Sequence, residues 1–159
     1  MEMIDFDGFF ERFAIKNSIL NKRKFGKKIS VLLNAVIRVI YPCDISPYAH
    51  IGNIKIPHAL GIVVGHSAII EDDCILMSNV VIGGRYGSRI NERRGHAHIK
   101  HNCIIGANST ILGKIQIGEY SIIGSGSVIT KDVPPKAVVV GNNQIIRFRS
   151  ENEIENTRL

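Results

Sequence analysis

Aliphatic residues recur every six positions at Val64, Ile70, Leu76 and Ile82, and again at Ile99, Ile105, Ile111, Ile117, Ile123 and Ile129. A period of six is neither helical nor a simple strand alternation. It is the signature of a hexapeptide β-helix, in which each hexapeptide makes a short strand and a turn and three of them make one coil. The residue after the aliphatic is often glycine, as at Gly65, Gly83, Gly106, Gly118 and Gly124. The fifth position is small or apolar: Ala68, Cys74, Val80, Cys103, Ser109, Ile115, Ser121, Ser127 and Val133. Stacked coils of this kind bury a continuous aliphatic column. The expected architecture is therefore mainly β, a parallel β-helix over 42–141, led in by a short helical segment at 1–41 and followed by a tail at 142–159.

With 159 residues and 45% hydrophobic content, the chain can bury one sizeable core, and its length argues for a single domain. The longest apolar run, "ISVLLNAVIRVIY", contains Asn34 and Arg38. It is shorter than the roughly 20 residues of a membrane span. The acidic start, "MEMIDFDGFFER", has no basic flank or cleavage site, so a cytoplasmic location is expected. Cys43, Cys74 and Cys103 are an odd set without a close CxxC pair, which argues against a disulfide framework or a zinc ribbon. Cys74 and Cys103 fall at the small inward position, so packing explains them and cysteine nucleophilic catalysis drops out.

Charge is uneven. The first 41 residues hold eight Lys or Arg against four acids, part of a formal net charge of +6. A solvated helical face is the expected reading of this stretch. Weak peripheral contact with an anionic membrane through residues 22–28 is the second, because one basic segment alone anchors poorly. Nucleic acid is not expected, since no aromatic platform is interleaved with these charges.

The repeat breaks twice, and breaks in a solenoid are where function tends to be inserted. The first break, at 51–64, holds His58 in "IPHALGIVVG". The second, "GGRYGSRINERRGHAH" at 83–98, carries Arg85, Tyr86, Arg89, Arg93, Arg94, His96 and His98. A glycine-rich, basic, histidine-bearing loop suits an anionic or hydroxyl-rich ligand. A solvated loop is the competing reading.

The stretches "DISPYAHIG", "IPHALGIVVGHSAII", "VVIGG", "IIGANSTILGKIQIGEYSIIGSGSVITKDVPP" and "VVG" together resemble the serine acetyltransferase branch of the hexapeptide acyltransferases. The resemblance covers roughly residues 42 to 147 and rests on several ordered motifs. It implies a left-handed parallel β-helix, a homotrimer, and acetyl-CoA bound between neighbouring coils. It also implies site residues. The family's catalytic histidine, in its HATG motif, falls on His58 of "HALG", its supporting aspartate on Asp44, and its second active-site histidine on His96. Deprotonating an attacking hydroxyl needs a base that works near neutral pH, which suits imidazole, and a carboxylate on the other ring nitrogen fixes the tautomer. Backbone N–H groups of Gly83 and Gly84 are candidate oxyanion donors. The resemblance further assigns coenzyme A contacts to Gly106, Ala107, Ser125 and Gly126, with Lys131 as a phosphate partner. No metal is expected.

Departures from the family pattern bear on the acceptor. Pro57 stands where serine acetyltransferases carry Asp, and Gly95 where they carry Arg, the two charges that meet serine in the family. The longer, basic histidine loop offers Arg85, Tyr86 and Arg94 to a substrate. These features resemble the surface-polysaccharide enzymes of the same branch, so a sugar or polysaccharide hydroxyl is the expected acceptor, with L-serine the alternative. A more remote reading takes "HAHIKH" as a zinc site of His96, His98 and His101, as in a γ-class carbonic anhydrase. The charged end "RSENEIENTRL" is expected to fray or to form a helix that caps the last coil.

Overall fold

The structure, a computed structural model, describes residues 35, 42–85 and 95–156. The lead-in expected at 1–41, with its basic stretch 22–28, lies outside the described residues except for Ala35, which is helical, and Pro42 begins the continuous part.

Strands of two to four residues wind through three sheets in rotation, with isolated bridges at Lys55 and Val133 where the third and second sheets have no named strand. The first sheet holds β1 (Asp44–Ile45), β3 (Val63–Val64), β6 (Val81–Gly83), β9 (Thr110–Leu112) and β12 (Val128–Ile129). The second holds β2 (His50–Ile51), β4 (Ile69–Ile70), β7 (His98–Ile99) and β10 (Gln116–Ile117). The third holds β5 (Ile75–Leu76), β8 (Ile104–Ile105), β11 (Ile122–Ile123) and β13 (Ala137–Val140). Neighbours within these sets pair in parallel. This is the hexapeptide left-handed β-helix.

The repeat predicts which residue of each strand points inward, because the second residue of a two-residue strand faces the axis. Ile70, Leu76, Ile82, Ile99, Ile105, Ile111, Ile117, Ile123 and Ile129 are all buried, none more than 1% exposed. Burial of each is worth about 1.5–3 kcal/mol. The small fifth positions lie beneath the turns, where Cβ-sized groups fit and their polar atoms find backbone partners. Cys74 Sγ donates to the Lys100 carbonyl at 3.0 Å, Cys103 Sγ to that of Gly118 at 3.0 Å, and Ser121 Oγ to that of Pro134 at 2.9 Å. All three cysteines are free and buried.

Turns between strands place Asp73, Asn79, Asn102 and Asn108 at φ of 57–59°, a left-handed conformation that short polar side chains tolerate. The first apparent break in the repeat is slight: Ile45 and Ile51 already belong to it, and Asp44 pairs with Val63 one residue late. The second is large. Val63 pairs with Val81, but Val81 pairs with Thr110, so the coil between them carries an extra excursion. Gly83 still belongs to β6 and His98 opens β7, which narrows the excursion to residues 84–97.

The described part of the tail, 142–156, forms two elements. Gln144–Phe148 forms β14, antiparallel to β13 on the edge of the third sheet. A helix, α1 (Glu151–Glu155), follows, closed at its start by a Ser150–Glu153 capping box. Arg149, 7% exposed, donates to the carbonyls of Tyr120 and Glu153, each at 3.0 Å, and Ile154 is buried.

Candidate functional site

A triangular coil has three corners, and the candidate residues gather on two of them. His58 follows Lys55, which bridges Ile75 in the third sheet, and precedes β3 in the first, so it stands on the corner between those sheets. The same corner carries Gly106 and Ala107 after β8, and Ser125 and Gly126 after β11. Backbone bonds tie its layers together: Asn79 N–H to the Leu60 carbonyl at 2.7 Å, Asn108 N–H to that of Ser78 at 3.0 Å, and Gly126 N–H to that of Ala107 at 2.8 Å. An amide bond from Asn79 Nδ2 to Asn108 Oδ1 at 3.1 Å runs beside them. His58 itself is exposed, its carbonyl accepting from Leu60 N–H at 2.9 Å. Asp44 opens β1 one layer away, paired with Val63 in the strand that the His58 turn leads into, and its N–H donates to the Ile62 carbonyl at 2.8 Å.

The glycines of this corner differ in kind. A Cβ on Gly106 would press within 2.6 Å of Ser125 N, so packing alone demands glycine there. A Cβ on Gly126, at φ 70°, would meet nothing within 4 Å. Glycine at 126 answers to backbone conformation, and the space beside it is open for a ligand.

The second corner, between the first and second sheets, carries the excursion. His96 lies there over Gly65, where a Cβ would come within 1.9 Å of the ring, and a Cβ on Gly84 would lie 3.5 Å from its Nε2. Ser67 holds the other side of the ring. Its Oγ accepts the His96 backbone N–H at 3.1 Å and lies 2.8 Å from Nδ1, and the Ser67 N–H also points at Nδ1 from 3.4 Å. Two donors aimed at Nδ1 leave the neutral ring's proton on Nε2. The ring of His66 meets that of His96 edge-on, with centroids 4.8 Å apart. Burial, and then the charge of His66, push the His96 pKa below that of an ordinary histidine.

Ser67, His96 and Lys114 each stand two residues ahead of strand partners, since Ile69 pairs with His98 and His98 with Gln116. They therefore stack in one column, and they wall a cavity of about 430 Å3 together with Ile69, His98 and Asp132. Ser67, His66, Lys114 and Asp132 were not among the sequence candidates. The signal that finds them is the coil register, which the excursion conceals from a search by fixed spacing.

The remaining candidates divide as follows. Gly83 is in register with Leu112 within the first sheet, and Gly84 is the first residue past the strand. Arg85 is exposed at the start of the excursion, whereas Tyr86, Arg89, Arg93 and Arg94 lie outside the described residues. Lys131, expected with Gly106 and Ser125, stands on the His96 corner instead, its N–H donating to Asn143 Oδ1 at 3.1 Å.

The histidines of "HAHIKH" do not converge. His98 Nε2 meets Glu71 Oε1 at 2.7 Å, while His101 Nδ1 bonds Asn102 Nδ2 at 3.0 Å and its ring packs edge-on against Tyr120. Burial raises the Glu71 pKa, but bonds from Lys100, His98 and the His101 N–H outweigh it and hold the carboxyl below its usual value. Among the described residues, no three His, Cys, Asp or Glu side chains are grouped as metal ligands.

The family "Bacterial transferase hexapeptide (six repeats)" matches residues 96–131. The serine acetyltransferase of Buchnera aphidicola (subsp. Schizaphis graminum) is 36% identical over 132 residues, covering 82% of this chain and 49% of the relative. That of Synechococcus elongatus is 38% identical over 120 residues, covering 75% and 48%. Among solved structures, Brucella abortus serine acetyltransferase in complex with coenzyme A superposes with a TM-score of 0.78 at 33% identity, covering 87% of this chain and 55% of that one. Soybean serine acetyltransferase complexed with serine gives a TM-score of 0.78 at 33% identity, covering 90% and 58%. The chain spans about half the length of the curated relatives it matches. Its described residues form a serine acetyltransferase-like hexapeptide-repeat β-helix.

Proposed function

We propose that the protein is an acetyl-CoA-dependent O-acetyltransferase that works as a homotrimer. The observation that carries this reading is the division of the candidate residues between two corners of one serine acetyltransferase-like coil. A site holding both His58 and His96 is completed when the His58 corner of one copy meets the His96 corner of the next. Such a head-to-tail contact closes as a ring, and three copies make three equivalent sites.

In this reading His58 takes the proton from the acceptor hydroxyl as its oxygen attacks the thioester carbonyl, and Asp44 orients the ring and stabilises the imidazolium. His96, protonated on Nε2 and kept neutral by its surroundings, serves as a hydrogen-bond donor rather than a second base. The Gly84 N–H supports the oxyanion, and Gly83 is its companion candidate. The tetrahedral intermediate collapses with loss of the coenzyme A thiolate, to which His58 returns its proton. Acetyl transfer is direct, without an acyl-enzyme. Gly106, Ala107, Ser125 and Gly126 provide the backbone cradle for coenzyme A, and the open space at Gly126 fits that role. Lys131 of the adjoining copy supplies the phosphate contact.

L-Serine is the better-supported acceptor, because the relatives are serine acetyltransferases rather than polysaccharide enzymes. A sugar hydroxyl is the second reading, favoured by Pro57 and Gly95 in place of charged residues and by the basic excursion with Arg85, Tyr86 and Arg94. Thiol release from acetyl-CoA tests both when serine, neutral sugars and uronic acids are offered in parallel, beside His58→Ala. Turnover on serine that disappears in the variant supports the reading. Turnover confined to sugars moves the substrate to the second reading, and turnover that survives His58→Ala overturns the base.

A further inference from the structure

The buried columns of the third sheet do not end buried. One runs through Leu76, Ile105, Ile123 and Val139, each 0% exposed, and its next member by register is Ile145 of β14, 43% exposed. Another, through Ser121 and Ala137, both 0% exposed, continues to Phe148, 58% exposed. Between them Ile146 stands at a one-residue slip, since Ile145 lies opposite Val139 but Arg147 opposite Val138, and it is 53% exposed. The cause is an incomplete coil. β14 forms one side of it; among the described residues the first sheet adds only the bridge of Asn142 to Val128, and the second sheet ends at the bridge of Val133 to Ile117.

β14 is also an edge. It stands last in its sheet, and among the described residues the backbone of Gln144–Phe148 bonds to β13 alone. A solenoid end needs a polar cap, and an apolar end with a free strand edge is a template for another chain. Charges beside the patch are neutralised within the chain: Arg147 Nη1 donates to Glu153 Oε2 at 2.8 Å, and Lys136 pairs with Glu151. An apolar centre beside satisfied ion pairs is the anatomy of a protein–protein contact. The single charge on β14, Arg147, is engaged, so the strand selects an uncharged strand as its mate.

We propose that this end of the β-helix joins a second copy of the chain end to end, β14 pairing antiparallel with β14 about a two-fold axis. The strand is complementary to itself. With Ile146 at the axis, Ile145 falls opposite Arg147 and Gln144 opposite Phe148, so no like charges face each other and each Arg147 keeps its own Glu153. One contact then covers both the free edge and the exposed ends of the two columns. Two-fold pairing is closed: it consumes the edge on both copies and leaves none for a third. The contact does not rest on the acyl-transfer reading. It doubles whatever unit the chain forms, giving two chains where the chain stands alone and six where the ring of three proposed above also forms.

Sedimentation equilibrium of the full-length protein measures the doubling directly. Wild-type protein is expected at twice the mass of Ile146→Lys and of Phe148→Lys, each of which puts a charge into the contact, while Ile146→Val keeps the doubled mass. Ile146→Cys locates the contact. Its thiols, at the axis, link two chains when treated with oxidised glutathione, as Cα atoms within about 7 Å allow, whereas the native Cys43, Cys74 and Cys103 are buried. Circular dichroism and thermal melting identify the folded variants, and should Ile146→Lys unfold, Phe148→Lys reads the same quantity. Equal mass for wild type and the folded lysine variants overturns the proposal, whether the patch is then bare or covered by another segment or another protein. A doubled mass that survives both substitutions overturns it too, because the contact then lies elsewhere. A lysine-sensitive mass of two chains rather than six supports this contact and removes the ring of three from the proposed function.

Discussion

The two corners of the coil that carry the candidate residues are built on opposite plans. The His58 corner is regular. Its layers repeat, Asn79 above Asn108, each layer bonding the next through backbone groups. The His96 corner is where the chain leaves the repeat for residues 84–97, and it collects His66, Ser67, His96, Lys114 and Asp132 from four different turns. The regular corner offers a backbone rail and one exposed histidine. The irregular one offers a half-open cavity with oriented side chains. A repeat can supply a rail along its length at no structural cost, but it takes an insertion to make a pocket on a surface otherwise set by period. The trimer proposed above would let the two corners cooperate between copies.

Mixing two dead variants tests that cooperation most severely. His58→Ala should lower kcat by about 10²–10⁴, the usual worth of a positioned acid–base group, and His96→Ala by about 10²–10³, the scale of losing one transition-state hydrogen-bond donor. Co-expressed in equal amounts, the two variants should recover about a quarter of wild-type sites, because a trimer then pairs an intact His58 corner with an intact His96 corner. Absence of recovery in isolated mixed trimers would place both histidines in a site within one chain.

Gly65→Ala separates the corners structurally. A methyl group within 1.9 Å of the His96 ring must displace it. The expected outcome is a loss of turnover of about a hundredfold, as for a misplaced catalytic group, with coenzyme A affinity held within about twofold. Equal losses in both quantities would mean that the His58 corner had been disturbed as well.

His66→Gln should act more gently and through pH. His96 carries a lowered pKa in the folded protein, so its neutral form is favoured by the fold. The associated stability is fully present above the unfolded value near 6.5 and is lost as pH falls through the folded value. Removing His66 takes away a like charge, so the His96 pKa rises and the acidic limb of the activity profile moves to higher pH. Histidine NMR titration measures the shift directly. An unchanged or lowered pKa would show that burial alone sets it.

The smallest effect belongs to Ser127→Ala. Ser127 Oγ is buried with no hydrogen-bond partner among the described residues, unlike the inward hydroxyls of Ser109 and Ser121. Removing an unsatisfied group should leave stability within about 0.5 kcal/mol of wild type or raise it, whereas Ser121→Ala should cost about 1 kcal/mol. Thermal melting of the two variants makes the comparison.

Legibility of the site in the sequence follows the same division. Gly106 and Ser125 lie inside the repeat, where local spacing fixes the layer, whereas His58 stands in its first break and is legible only through the resemblance of HALG to the family motif. The asparagines of the left-handed turns recur at 79, 102 and 108 beside strand ends. The partners of His96 were not legible. Ser67 and His96 are adjacent only after the excursion is removed from the count. The tail shows another limit: "QIIRF" has no six-residue partner, so nothing in its period foretold that it would turn back antiparallel against β13.

By itself the sequence determined the coil. A side chain's direction in a short strand depends on its own position in the hexapeptide, so the buried column from Val64 to Ile129, the small residues beneath the turns and the location of the excursion follow from local pattern. Only the tertiary structure decided which residues meet across layers. That depends on the register in which one coil settles on the next, and backbone pairing resumed after the excursion at Thr110 and His98. The pairing of Val81 with Thr110 and of Ile69 with His98 is a long-range choice made by the hydrogen-bond ladder, and it brought Ser67, His96 and Lys114 into one column.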